Sequence, residues 1–486
     1  MKKICLVYPK KIGMIAPEIY GHFTEHLGGV MYDGLWVGKD SSVPNIRGFR
    51  KEIVEKLKAI HAPVLRWPGG CFAETYDWRD GVGKERPIRP NWWTGSDRRY
   101  ESNEVGTHEF MDLCEMTGAK PYFAANLTSV TPLHIRNWMD YCLSPKGSTT
   151  LAKEREENGH PEPFDIPYWG VGNENWGGGG NMLPETYANE YRKFAIVMNN
   201  MAPKVDLIAC GTNGKDYDWA HGLMPILYTS DKNNASKCIN GFAIHCYCGY
   251  DGDVINFTEK EWTQLLIQAN EIEAVILRNW NIICGHNMEE YCKLVIDEWG
   301  CWHQEGSGPS KGDNLFEQQG TMRDAMVAAL TLNIFNRNCD KIKMANIAQL
   351  VNCLHSLFLA SGEKCIETPT YHVFDLYQGH QGAEAIETLV TDNEEFASSV
   401  SVSASCKDGK TLVTIGNLSC HEDVEISLDG MGIELPDTGT ARILAHTDMH
   451  AHNTFENPDE VVPVTVTFDP RKPFTVPKAG IVALQF

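Results

Sequence analysis

Eight times between residues 19 and 350 a short apolar run is followed by a helical pattern, and few folds accommodate such an alternation. The runs fall at 19–23, 64–67, 121–126, 168–172, 207–211, 242–247, 294–297 and 343–350. Between them, Phe49, Ile53, Val54, Leu57 and Ile60 recur near the helical period and predict one buried helix face. Thr258 and Glu261 have capping-box spacing ahead of a helix over 262–280, and Thr107 is placed to cap a helix that Gly118 closes. Parallel strands need crossovers of a dozen or more residues, which helices supply. The expected fold class is therefore α/β, a (β/α)8 TIM barrel with its active site at the C-terminal strand ends.

After about residue 379 the pattern changes to period two. Strands are predicted at 400–404, 411–415, 424–428, 441–445, 464–468 and 481–486, with turn signals at Asp408-Gly409 and Asp429-Gly430. These read as a C-terminal all-β sandwich, and a chain of 486 residues is long enough for two cores. Residues 4–8 are strand-like and precede the first barrel strand. The expected division is 1–15 as a strand joining the sandwich, 16–379 as the barrel and 380–486 as the sandwich.

Hydrogen-bonding and charged side chains gather where the barrel rule wants them. Glu25 follows the first run, Pro68-Gly69-Gly70-Cys71 the second and Asn126 ends the third. Asn173-Glu174 follows the fourth, His245 and Tyr247 end the sixth, Glu298 the seventh and Gln349 the eighth. Two glutamates at strand ends, if the fold brings them face to face, are what hydrolysis of a glycosidic bond requires. Glu174 is expected as general acid, its pKa raised by burial or a negative neighbour, and Glu298 as nucleophile. On an extended strand Asp297 points away from Glu298 and makes a structural hydrogen bond. His245 and Tyr247 share a strand face and suit hydrogen bonds to a carboxylate or a sugar hydroxyl. Trp92, Trp93, Trp176, Trp299 and Trp302 are candidates to stack on sugar faces, although aromatics are equally ordinary core.

Other chemistries fit less well. Gly177-Gly178-Gly179-Gly180 lacks the Lys-Ser/Thr of a phosphate loop. The sixteen cysteines have no repeated metal-ligand spacing and read as reduced, mostly buried thiols; metal binding through Cys71, His245 or Cys246 is the weaker alternative, and no metal or cofactor is expected. A formal net charge of -21 argues against nucleic acid or an anionic membrane as partner. The N-terminal apolar stretch is too short for a secretory signal and no segment reaches the ~20 apolar residues that span a bilayer, so a cytoplasmic location is expected.

Several motifs together resemble glycoside hydrolase family 51, the α-L-arabinofuranosidases. They are Tyr20-Gly21-His22-Phe23-Thr24-Glu25, Arg66-Trp67-Pro68-Gly69-Gly70-Cys71-Phe72, Trp78-Arg79-Asp80-Gly81-Val82-Gly83, Gly172-Asn173-Glu174 and Asp297-Glu298-Trp299. The resemblance implies a retaining exo-enzyme acting on arabinofuranosyl oligosaccharides, with Glu174 as acid/base and Glu298 as nucleophile. By position it also implies that Glu25, Cys71, Trp93, Asn173, His245, Tyr247, Trp302 and Gln349 shape the sugar subsite or hold the nucleophile, and that the protein forms a homotrimer or hexamer. One departure stands out. Many relatives have asparagine after the paired glycines, where this chain has Cys71, a weaker hydrogen-bonding group. The alternatives are another barrel glycosidase (β-xylosidase, endoglucanase or β-galactofuranosidase) or a carbohydrate-binding protein without catalysis. A metal-dependent hydrolase would lose activity to a chelator, and no such loss is expected.

Overall fold

The computed structural model describes residues 1–95, 100–232, 239–249, 252–391, 396 and 399–486. Eight parallel strands close into a barrel in chain order: Gly21–Phe23, Val64–Trp67, Lys120–Ala125, Tyr168–Val171, Asp206–Asn213, Gly241–Gly249, Lys293–Trp302 and Ile342–Ala348. All eight predicted runs are strands, with ends moved by a few residues. The lower barrel is plugged by one inward side chain from each of seven strands: Val64, Tyr122, Tyr168, Ile208, Ala243, Val295 and Met344. The first strand contributes Gly21 instead. A Cβ there would lie 2.4 Å from both Asn346 Oδ1 and Val64 Cγ1, so only glycine lets its neighbours close on either side.

Two helix expectations need correction. The helix Thr107–Thr117 is capped not by the Thr107 side chain but by Glu109, whose carboxylate accepts from Gly106 N at 3.1 Å. Thr107 Oγ1 instead accepts from Trp138 Nε1 inside the core. The pattern over 262–280 is two helices, Glu259–Asn270 and Ile272–Gly285, which meet at Glu271. The Thr258–Glu261 capping box opens the first of them, and Gly118 closes its helix at φ +80°.

A nine-stranded sheet forms the β-rich C-terminal domain, with a core that includes Ile386, Val402, Val413, Ile415, Ile426 and Val482. The N-terminal strand Lys2–Met14 lies in it, antiparallel to Glu384–Thr391 and parallel to Val424–Met431. Glu384–Thr391 escaped the sequence reading because its buried and exposed faces do not separate cleanly. The helix Met322–Arg337 joins the two parts. It is buried on all sides, as its mostly apolar surface requires, and its polar Asn333 and Asn336 are satisfied by Ser401 and Ser403 across the interface. Among the described residues no helix is long and apolar enough to cross a membrane.

Candidate active site

The seventh strand is the one that departs most from regular geometry, and the site depends on that departure. Against the sixth strand, Ala243 pairs with Val295 but His245 with Glu298; against the eighth, Ile296 pairs with Ala345 but Trp299 with Ile347. Three residues therefore oppose two on both sides, a β-bulge at Asp297 and Glu298. The bulge breaks the alternation on which the sequence reading relied, and both side chains turn inward. Asp297 accepts from Tyr122 Oη at 2.9 Å and Asn346 Nδ2 at 3.2 Å, keeping the structural part expected of it but from the opposite face.

Glu298 is held at each oxygen: Arg66 Nη1 donates to Oε1 at 2.8 Å and Tyr247 Oη to Oε2 at 2.7 Å. Glu174 faces it from the loop after the fourth strand. His245 Nδ1 lies 2.8 Å from Glu174 Oε1 and 3.4 Å from Glu298 Oε2. One oxygen of each carboxylate and a nitrogen of that imidazole all fall within 4.8 Å of one another. The Cys71 thiol donates to Glu174 Oε2 at 3.2 Å, and Arg66 Nη2 donates to Asn173 Oδ1 at 2.6 Å. Two residues apart on one strand, Tyr247 thus serves Glu298 while His245 lies between both carboxylates.

Glu25 anchors the neighbouring half of the pocket. Its Oε1 accepts from Gly70 N (2.8 Å), Phe72 N (3.1 Å) and Trp93 Nε1 (3.1 Å), and its Oε2 from Gln349 Nε2 (3.0 Å). The paired glycines make this possible. A Cβ on Gly69 would sit 2.5 Å from Glu25 Cγ, and one on Gly70 would sit 2.7 Å from Glu298 Oε1. Trp302 stands edge-on to Tyr247 and to Phe316, and Phe316 meets Trp93, so aromatics wall one side. Glu174, Glu298 and the eight residues that the family resemblance placed at the subsite or the nucleophile meet in this one region. Trp299 does not. It is 1% exposed and packs on Phe335 and Phe374, behind the barrel wall. Trp176 is half-buried with its Nε1 donating to Gly211 O, while Trp92 is 57% exposed and lies against Trp93.

Arg66 went unassigned in the sequence, although an arginine inside the apolar run Val64–Trp67 carried the signal. A buried guanidinium needs anionic partners, and here it has Glu298 and, with Nε 3.5 Å away, Asp297. Burial opposes its charge, but the two carboxylates outweigh that and keep it firmly protonated.

The electrostatics of Glu174 differ from expectation. Burial pushes its carboxyl up, yet the His245 hydrogen bond and charge, followed by Cys71 and Arg66, carry it below its ordinary value. For His245 the balance runs the other way. Burial pulls the imidazole down, and the charge of Glu298 with the Glu174 contact more than restores it, leaving it above 6.5. The proton of this pair rests on the imidazole side because a cation between two carboxylates is favoured. The Glu25 carboxyl rises to about 7, through burial and then the charge of Glu298.

That shift has a measurable consequence. Glu25 binds its proton more tightly folded than unfolded, so stability from this group is complete below pH 4.5, falls as pH rises, and is lost above about 7. The expected loss is about 3 kcal/mol across that window. Glu25→Gln should lack this slope, because an amide does not titrate, and Gln349 Oε1, buried without a partner, can accept from it once the Gln349 amide turns over. Urea unfolding of both proteins from pH 4.5 to 8 checks it, and parallel slopes would contradict the assignment.

Two groups of side chains among the described residues have the spacing of metal ligands: Glu174, His245 and Glu298, and the buried Cys301, Asp324 and His355. In both, donors are already engaged within the protein. His245 bridges the carboxylates, Asp324 Oδ1 pairs with His303 Nε2 at 2.8 Å, and His355 Nε2 lies 3.0 Å from Thr370 Oγ1.

Comparison with known proteins places this chain among relatives. The family model described as α-L-arabinofuranosidase 1 domain matches residues 56–247, and that of the α-L-arabinofuranosidase C-terminal domain matches 297–479. An intracellular exo-α-L-arabinofuranosidase of Bacteroides ovatus is 37% identical over 466 residues, covering 93% of this chain and 88% of the relative. The crystal structure of the GH51 arabinofuranosidase from Xanthomonas axonopodis pv. citri superimposes over the full length of both chains with a TM-score of 0.92 and 34% identity. The arabinose complex of the Thermotoga maritima α-L-arabinofuranosidase does so with a TM-score of 0.87 and 28% identity, again covering both chains completely.

Proposed function

Because the chain belongs to glycoside hydrolase family 51 and is an α-L-arabinofuranosidase of that kind, we propose that it releases terminal α-L-arabinofuranosyl residues from arabino-oligosaccharides by a retaining, two-glutamate double displacement. The observation that carries the retaining mechanism is the approach of one Glu174 oxygen and one Glu298 oxygen to within 4.8 Å across the pocket. Retaining enzymes hold the two carboxyl groups about 5–5.5 Å apart, whereas inverting ones leave about 6.5–9.5 Å for a water.

Glu298 attacks the anomeric carbon as the bond to the leaving oxygen breaks, and that oxygen takes a proton from Glu174. The proton is stored on the Glu174–His245 pair. Arg66 and Tyr247 hold both oxygens of Glu298, so the nucleophile enters the reaction already oriented. The covalent arabinosyl ester is then hydrolysed. Glu174 removes a proton from water, the oxygen adds to the anomeric carbon, and Glu298 departs as carboxylate. Glu25, Asn173, Gln349, Trp93 and Trp302 line the glycone subsite in this reading. Cys71 spends its thiol hydrogen on Glu174, so it acts on the acid/base more than on the sugar.

The division at about residues 15 and 380, a cytoplasmic location with short imported oligosaccharides as substrates, and assembly as a homotrimer or hexamer belong to the same reading. The test is a matched panel of nitrophenyl α-L-arabinofuranoside, β-D-xyloside and β-D-galactofuranoside. Arabinofuranoside should be preferred by at least about 10²-fold in kcat/KM, the scale at which mispaired sugar hydroxyls are rejected. A preferred xyloside or galactofuranoside would replace the glycone assignment.

A further inference from the structure

Glu74 is completely buried, has no cationic partner among the described residues, and takes no part in the chemistry above. It lies in the short 3-10 turn Cys71–Thr75 after the second barrel strand. Each of its oxygens accepts two N–H groups. Oε1 takes Asn173 N at 2.6 Å and Asn175 Nδ2 at 2.8 Å, the residues on either side of Glu174. Oε2 takes Leu127 N and Thr128 N, both at 2.8 Å, from the loop after the third strand.

One carboxylate therefore ties together the loops after strands two, three and four, and its grip brackets Glu174. That residue needs holding. Its φ is +44°, a left-handed conformation that a glutamate adopts only when its surroundings impose it. The local loop supplies part of the constraint, since Gly177 N and Gly179 N both donate to Glu174 O, but those bonds lie on its C-terminal side. On the N-terminal side the amide of Asn173 donates to Glu74. Asn175 extends the link, its Nδ2 also reaching Gly179 O at 2.7 Å.

We propose that Glu74 is a positioning residue for the acid/base, holding the Asn173 amide on one side of Glu174 and the Asn175 side chain on the other so that the Glu174 carboxyl meets the departing glycosidic oxygen. The inference rests on the acid/base role of Glu174. It yields a signature that simple loss of folded protein does not. A misplaced acid slows departure of poor leaving groups, which need a proton, and leaves good ones almost untouched. It also leaves the second step short of a base, a deficit that an anionic nucleophile such as azide relieves.

Glu74→Gln puts an amide donor against N–H groups that need an acceptor. Its kcat/KM is expected to fall about 10²-fold on phenyl α-L-arabinofuranoside but less than about threefold on the 2,4-dinitrophenyl glycoside. Azide should raise kcat on the latter and yield arabinofuranosyl azide. Glu74→Asp keeps the charge and draws it back by one methylene, and is expected to show the same pattern at about tenfold; it serves where Glu74→Gln does not accumulate as folded protein. Equal losses on both glycosides, or no response to azide, would overturn the proposal. Glu174→Ala is assayed alongside. If it shows the leaving-group pattern and the Glu74 variants do not, only this inference falls; if Glu174→Ala lacks it, the acid/base reading falls first.

Discussion

Glu298→Ala is expected to lower turnover of every arabinofuranoside by at least about 10⁵-fold, whatever the leaving group. No neighbour can take its place. Asp297 is engaged by Tyr122 and Asn346 below the pocket, and Glu25 is turned to the Gly70 and Phe72 amides. The fold should survive, since Arg66 keeps Asp297 as a partner. The vacated space beside Arg66 and Tyr247 should admit azide or formate, which attacks the anomeric carbon directly. Azide then gives a glycosyl azide of inverted configuration, resolved by proton NMR. Turnover within about tenfold of the unaltered enzyme would show that another group is the nucleophile.

Glu174→Ala should divide substrates by leaving group. With phenyl glycosides, whose oxygen must be protonated as it departs, kcat/KM falls by about 10²–10⁴-fold. With 2,4-dinitrophenyl glycosides the first step is nearly unchanged and the arabinosyl-enzyme accumulates, because no base activates water. Azide discharges it and yields the retained azide, opposite in configuration to the product from Glu298→Ala. The pair of products assigns the two roles independently of rates. Identical azides from both variants would refute the double displacement. Removing Glu174 also removes one of the two carboxylates that raise His245, so the imidazole should lose its proton at a lower pH than in the unaltered enzyme, with the Glu298 charge still supporting it.

The barrel was legible because its signal is local. Strand and helix periods are set by residues a few positions apart, and eight alternations leave one parallel closed arrangement that satisfies the connections. The strand-end positions of Glu25, Glu174, His245, Tyr247, Glu298 and Gln349 followed from the same periods. What escaped had no local signature. The bulge at Asp297 and Glu298 is an irregularity of pairing with two neighbouring strands, visible only in register. Arg66 and Glu74 looked like stray charges in an apolar strand and a short turn, since their partners stand 107 and 99 positions away at Asn173. Trp299 and Trp302 looked alike in sequence, yet one is core and the other lines the site.

The amino-acid sequence by itself determined the architecture and the inventory of groups brought to the barrel mouth, since both are consequences of side-chain period and polarity along the chain. Only the tertiary structure decided that two carboxylates and one imidazole share a space of 4.8 Å, and with it where the proton rests. Electrostatic energy depends on distance and burial in three dimensions, and neither is a property of neighbours along the chain.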